Sequence, residues 1–249
     1  MKNIKYLIAV LSILLVSVVG SVFGTSILNN VHLKYLRYLG KDTVLIRNST
    51  GAGATGFLIK GKSGKYHIMT NGHVCGLQEN GKLLATYRGD TYVVNVESKY
   101  PFNDLCSISA PGQVSSGFTI AKSREYGESA YSIGHPLLEP LSVAAGELSG
   151  PVTVSILVGL NLPKEQCQGV TYEYKDDLGG LAALFGINSA CIRHLEAEAS
   201  TLSIQPGNSG SPVVNIYGHV IAVVFAANES GTRSYLVPLS NLAEFIEGL

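Results

Sequence analysis

The stretch Gln205-Pro206-Gly207-Asn208-Ser209-Gly210-Ser211-Pro212-Val213-Val214 decides how the rest of the chain is read. Turn-forming residues precede Ser209, a glycine follows it, and an apolar β-branched run opens at Val213. That order describes a tight loop feeding a strand. Gly207 and Gly210 admit backbone conformations closed to other residues, so neighbouring main-chain N–H groups can turn inward together. A serine held there can attack a carbonyl while the N–H groups of Gly207 and Ser209 hold the oxyanion. Taken alone, the stretch also reads as an ordinary Gly/Ser turn between strands.

Two further stretches tip the balance. Thr70-Asn71-Gly72-His73-Val74-Cys75 follows the strand-like run Tyr66-His67-Ile68-Met69, and Asn103-Asp104-Leu105-Cys106-Ser107-Ile108 sets an acid at the head of an alternating apolar segment. The chain order is therefore His73, Asp104, Ser209, the order of the chymotrypsin class and distinct from the subtilisin and α/β-hydrolase orders. All three motifs resemble those of trypsin-like serine proteases, and most nearly the bacterial HtrA/Deg-type protease domain. The resemblance runs over about residues 44–246. Gly51 to Ile59 is similar to the family's first glycine-rich strand pair, Gly127-Glu128 with Ile133-Gly134-His135-Pro136 to its middle motif, and Tyr235-Leu236-Val237-Pro238 to its final strand.

The resemblance implies an all-β fold of two six-stranded β-barrels with a short C-terminal helix. It implies barrel one over about 42–110, barrel two over about 118–238 and the helix over 239–249. It further implies a metal-free, cofactor-free triad: Ser209 as nucleophile, His73 as base, and Asp104 orienting His73. In such proteases the residue six before the nucleophile, here Ser203, floors the primary pocket. Phe225-Ala226-Ala227 would pair with substrate backbone, and Ser234 would line the facing wall. A neutral floor predicts cleavage after small or apolar residues, because a charge buried there without a partner is costly. Two departures stand out. Residues 150 to about 194 are longer than the usual connection, and no peptide-binding PDZ domain is expected after Leu249.

Composition agrees with an exported β-rich enzyme. The chain has 249 residues, 46% hydrophobic and 14% charged, which excludes a disordered polymer. Net charge is zero, so no basic field is present to hold nucleic acid. The 28 glycines suit a turn-rich β protein. Lys2 and Lys5 precede an uncharged apolar run from Tyr6 to Phe23, which reads equally as a signal peptide ending near Gly24 or as a membrane anchor. Either exports the remainder, so the expected location is secreted, periplasmic or membrane-anchored. Residues 25–41 form a connector in which Leu28, Val31, Tyr35, Leu36 and Leu39 recur at helical spacing.

Four cysteines in an exported chain favour disulfides. Cys75 follows His73 by two residues and Cys106 follows Asp104 by two. If the histidine and aspartate touch, their cysteines are close too, which favours Cys75–Cys106 and leaves Cys167–Cys191. The remaining histidines, and the acids Asp90, Asp176 and Asp177, read as structural or solvated. The functional expectation is an exported serine endopeptidase acting on protein or peptide substrates. The competing reading is a catalytically silent trypsin-like fold used for binding or adhesion.

Overall fold

A computed structural model describes residues 31–77, 82–100, 103–161, 163–167, 169–173, 189–228 and 230–249. The apolar run Tyr6–Phe23 and the pair Asp176–Asp177 lie outside the described residues. Within them, no helix is long and apolar enough to cross a membrane.

A helix over 31–39, α1, leads into strand β1 (Thr43–Asn48). Strands β2 (Gly53–Lys60) and β3 (Tyr66–Thr70) follow, then a one-turn helix α2 (Gly72–Gly76). Next come β4 (Leu83–Tyr87), β5 (Asp90–Val94), β6 (Val96–Tyr100) and β7 (Leu105–Ser109). The first sheet runs β5-β4-β1-β2-β3-β7-β6. Its two edge strands are one chain bent at Asn95, pairing β4 with its first half and β7 with its second. That bend closes the sheet, so the seven assigned strands make a barrel of six staves.

The second half contains β8 (Ser129–Gly134), β9 (Ser142–Leu160), β10 (Val170–Glu173), β11 (Ser189–Ser200), β12 (Pro212–Val214), β13 (Val220–Ala227) and β14 (Ser234–Pro238). Its order is β10-β11-β14-β13-β12-β8-β9, with β11 also pairing β9. The added pairing closes a six-stranded ring and leaves β10 flanking it. The C-terminal helix α3 (Leu239–Glu247) completes the chain.

Side-chain alternation explains how two barrels share one core. In β2, Leu58 points into barrel one while Phe57 and Ile59 point the other way, into the interface. In β13, Ala222 and Val224 fill barrel two while Val223 and Phe225 face the same interface. A strand apolar on both faces is what a position between two cores requires. Phe57 and Phe118 meet edge-on there, with ring centroids 5.7 Å apart. Leu36 of α1 is fully buried in this cluster, so the connector helix is docked on the barrels.

The sequence pattern alone suggests a strand through His73, two strands over 143–149 and 152–158, and a C-terminal helix led by Ser240 as its cap; the structure differs in all three. His73 is on α2 rather than a strand. Two strands expected over 143–149 and 152–158 are one, β9, which continues through Gly150 at φ +133°. The helix α3 begins at Leu239 after Pro238, and Ser240 does not cap it.

Candidate active site

Asn71 precedes α2 in extended conformation and turns the chain out of β3 into the helix that carries His73. The Asn71 side chain is fully buried and its amide donates to the Asp104 carbonyl at 3.1 Å. Asp104 adopts the left-handed conformation (φ +52°), which aspartate tolerates better than most residues. Its two carboxylate oxygens are both engaged by His73. Oδ1 accepts the His73 backbone N–H at 2.9 Å and Oδ2 meets Nδ1 at 2.8 Å. A carboxylate only accepts, so Nδ1 carries a proton, and in the neutral ring Nε2 is the base. A Cβ on Gly72 would sit 3.2 Å from Asp104 Oδ1, close enough that the carboxylate would have to give by a few tenths of an ångström. The disulfide Cys75–Cys106 ties α2 to β7 just behind the pair, and the second disulfide is Cys167–Cys191.

Ser209 belongs to barrel two but is gripped by barrel one. Thr55 of β2 donates its N–H to the Ser209 carbonyl at 2.9 Å and its hydroxyl to the Gly207 carbonyl at 2.8 Å. The same hydroxyl accepts the His135 N–H at 2.9 Å, and the Thr55 carbonyl accepts Thr70 Oγ1 at 2.8 Å. Gly210 (φ +80°) passes so close that a Cβ would clash with the Thr55 carbonyl and Thr70. Sequence reasoning missed Thr55. Its only signal was a small hydroxyl residue in the otherwise glycine- and apolar-rich run Gly53 to Ile59.

The backbone of the serine loop is selectively satisfied. The N–H groups of Asn208, Gly210 and Ser211 donate to Gln205, Val224 and Asn208 carbonyls respectively. Among the described residues, the N–H groups of Gly207 and Ser209 have no partner. Gly207 lies at φ +96°, and the Leu137 N–H holds the preceding Pro206 carbonyl at 2.6 Å. Leu137 and Leu138 are themselves left-handed (φ 53° and 62°), an uncommon arrangement for leucine that costs on the order of 1–3 kcal/mol per residue. The turn is braced by Arg47, which donates to the Leu138 carbonyl at 3.0 Å. Burial pushes the His135 imidazole below the usual histidine range, against the raising effect of the Glu139 carbonyl that accepts its Nδ1–H.

A cavity of about 220 Å³ opens beside Ser209, lined by Ile204, Gln205, Pro206, Ala226 and Ala227. Of the pocket residues expected from the sequence, Ala226 and Ala227 are there. Ser203 is not: alternation buries Leu202 and Ile204 and turns Ser203 outward. Phe225 is buried toward the inter-barrel core instead. Ser234 is fully buried and shares a hydrogen bond with Ser200 Oγ. The buried acid Glu198 is ion-paired with Arg124 beside a different cavity. Other histidines are occupied elsewhere: His67 Nδ1 by Glu97 at 2.7 Å and His194 Nδ1 by Ser155 at 2.9 Å. Among the described residues Ser209 Oγ makes no hydrogen bond, so His73 and Asp104 are joined and Ser209 stands apart on the other barrel.

Residues 54–223 match the family described as trypsin-like peptidase domain. The chain belongs to that family. It is 28% identical over 204 residues to a serine protease Do-like HtrB of Bacillus subtilis, and 29% over 203 residues to a serine protease HtrA-like of Staphylococcus aureus. Each alignment covers 78% of this chain but only 38% and 23% of those relatives. The fold is shared with the active form of the Rv3671c protease of M. tuberculosis (TM-score 0.62, 16% identity, 84% of this chain and 80% of that one). It is also shared with a serine endoprotease of Yersinia pestis (TM-score 0.60, 16% identity, 87% and 65%).

Proposed function

We propose that this trypsin-like peptidase domain is an exported serine endopeptidase using Ser209, His73 and Asp104. The observation that carries the reading is the His73–Asp104 pair, in which Nε2 of the neutral ring is the base. Ser209 attacks the peptide carbonyl as His73 takes its proton, and His73 then protonates the leaving amine. Water attacks the acyl-enzyme by the same route in reverse. The unpartnered N–H groups of Gly207 and Ser209 would stabilise the oxyanion, at about 3–4 kcal/mol per donor. Strand β13 pairs with β12 only as far as Val223, so Ala226 and Ala227 have β14 on one side and an open edge on the other for substrate backbone.

The cavity beside Ser209 is lined by no charged residue, which supports cleavage after small or apolar side chains. A peptide library should show that preference. Dominant cleavage after arginine or lysine would overturn the assignment of this cavity as the primary pocket.

Export is supported by the run Tyr6–Phe23 and by two disulfides, which persist in oxidising compartments. A second reading, a silent fold used for binding, draws on the lack of a bond from Ser209 to His73. Catalytic hydrogen bonds are often long before substrate arrives, so the geometry is compatible with either. Labelling with a serine-directed phosphonate separates them. The parent chain should label and digest casein, and Ser209→Ala should do neither, losing at least about a thousandfold in rate. A parent that neither labels nor digests casein would favour the silent module.

A further inference from the structure

Among the described residues, five of the fourteen exposed large apolar side chains gather on one face. Helix α1 exposes Val31 (60%), Tyr35 (41%) and Tyr38 (62%), and the turn between β12 and β13 exposes Ile216 (48%) and Tyr217 (67%). The Tyr35 hydroxyl donates to the Tyr217 carbonyl at 3.0 Å, which joins helix and turn into one surface. A Cβ on Gly218 would meet the Leu39 and Tyr35 side chains, so the turn is pressed directly against the helix. Val31, Tyr35 and Tyr38 follow helical spacing, and Leu36 anchors the opposite side in the core.

The charge on this helix has one sign. Residues 31–41 contain Lys34, Arg37 and Lys41 and no acid. Lys41 Nζ sits 3.8 Å from the Tyr38 ring centroid and donates to its hydroxyl at 2.6 Å. Beside the turn, Arg124, Glu125 and Glu128 line a cavity with Ile216 and Tyr217, and Glu128 accepts the Glu125 N–H. Tyrosines with an apolar body and a wet tip, interleaved with lysine and arginine, suit the boundary between hydrocarbon and water.

The chain ahead of α1 supplies the partner. The uncharged run Tyr6–Phe23 is separated from α1 by residues 24–30 alone. Even fully extended, that link reaches about 25 Å. With the run in a bilayer, α1 begins close to the membrane surface.

We propose that the face formed by α1 and the Ile216–Tyr217 turn lies on the surface of an anionic lipid bilayer. This rests on the reading of Tyr6–Phe23 as an anchor, and the test separates the two. The chain contains no tryptophan, so a single introduced indole reports without background. Full-length Tyr38→Trp, Tyr217→Trp and Tyr172→Trp chains are reconstituted in phosphatidylcholine vesicles containing phosphatidylglycerol and lipid brominated near the headgroup. Tyr172 is exposed on β10, away from α1, and is the control. All three chains should float with the vesicles. Emission of Tyr38→Trp and Tyr217→Trp should fall by about half or more, and that of Tyr172→Trp by under about a tenth. Reversing Lys34 and Arg37 to glutamate in the Tyr38→Trp chain should reduce its quenching about twofold without releasing the protein. Flotation with unquenched indoles would overturn the docked face and leave the anchor standing. Failure to float would overturn the anchor and the face with it. Quenching unaffected by the charge reversal would remove the anionic requirement and overturn the proposal as stated. An emission shift that follows protein concentration rather than brominated lipid would assign the face to a second copy of the chain, which also overturns it.

Discussion

Thr55 binds the two barrels at the point where chemistry would occur. Its N–H, hydroxyl and carbonyl together fix the Ser209 carbonyl, the Gly207 carbonyl, the His135 N–H and the Thr70 hydroxyl. Replacing it with valine keeps the shape and leaves both Gly207 O and His135 N–H short of a partner. The Gly207–Asn208 peptide is then held only through the Asn208 N–H on the Gln205 carbonyl, and the proposed oxyanion donors on either side of it lose part of their aim. Thr55→Val should lower kcat by about 10- to 100-fold with KM little changed, whereas Thr55→Ser, which keeps the hydroxyl, should stay within about threefold. Steady-state kinetics on a peptide substrate check both. An unchanged kcat in Thr55→Val would mean that backbone hydrogen bonds alone hold the loop. This residue was hidden in the sequence because a buried threonine in a strand looks like any β-branched core position. The identities of His73, Asp104 and Ser209 stood out because each lies in a motif of turn residues beside a strand. Ser203 was misplaced for a related reason. Counting back from the nucleophile fixes a position along the chain, but strand-like alternation decides which way the side chain faces.

At the level of elements, the short strands around each barrel were legible from their alternation and their glycine punctuation. What was not legible is how strands continue past apparent breaks. Gly150-Pro151 reads as a turn, yet Gly150 takes a conformation that lets β9 bend and run on beside β11 for eleven paired positions, from Ala190 to Ser200. The pair builds an arm whose outer part is stapled by Cys167–Cys191, with Thr171 of β10 opposite Cys191. The other disulfide, Cys75–Cys106, joins α2 to β7 and so fixes the helix that carries His73 against the strand that follows Asp104. Their removal should therefore differ. Cys75→Ala with Cys106→Ala should cost about 2–4 kcal/mol in urea unfolding and lower activity in the residual folded enzyme. Cys167→Ala with Cys191→Ala should cost a similar amount at most and leave kcat within about twofold, because no residue lining the cavity beside Ser209 belongs to the arm. Equal loss of kcat in both pairs would show that the arm supports the cleft.

For the molecule as a whole, the site exists only while two barrels stay in register. His73 and Asp104 ride on barrel one and Ser209 on barrel two, so the inter-barrel core is as much a part of the site as the hydrogen bonds are. That core is apolar and contributed by both halves: Phe57, Met69 and Leu105 from the first, Val214, Val223 and Val237 from the second. Phe118 lies in the segment between the barrels. It donates its N–H to the Leu58 carbonyl at 2.8 Å, makes an isolated parallel bridge with Ile59, and packs its ring on Phe57. A second latch nearby is polar: the buried Asp42 carboxylate accepts from Ser116 Oγ at 2.9 Å and from Arg88 at 3.2 Å. Phe118→Ala removes the ring from the seam and leaves the interiors of both barrels untouched. The expected cost is about 3–5 kcal/mol, the usual range for a buried phenylalanine. The loss falls on docking, so activity should disappear at lower urea than the circular dichroism of the strands, a separation that the parent chain should not show. Ile46→Ala provides the contrast. Ile46 is fully buried inside barrel one, and its loss should cost about 2–5 kcal/mol while moving the activity and spectroscopic transitions together. If the two transitions also coincide in Phe118→Ala, the barrels unfold as a single cooperative unit and the seam carries no separate stability.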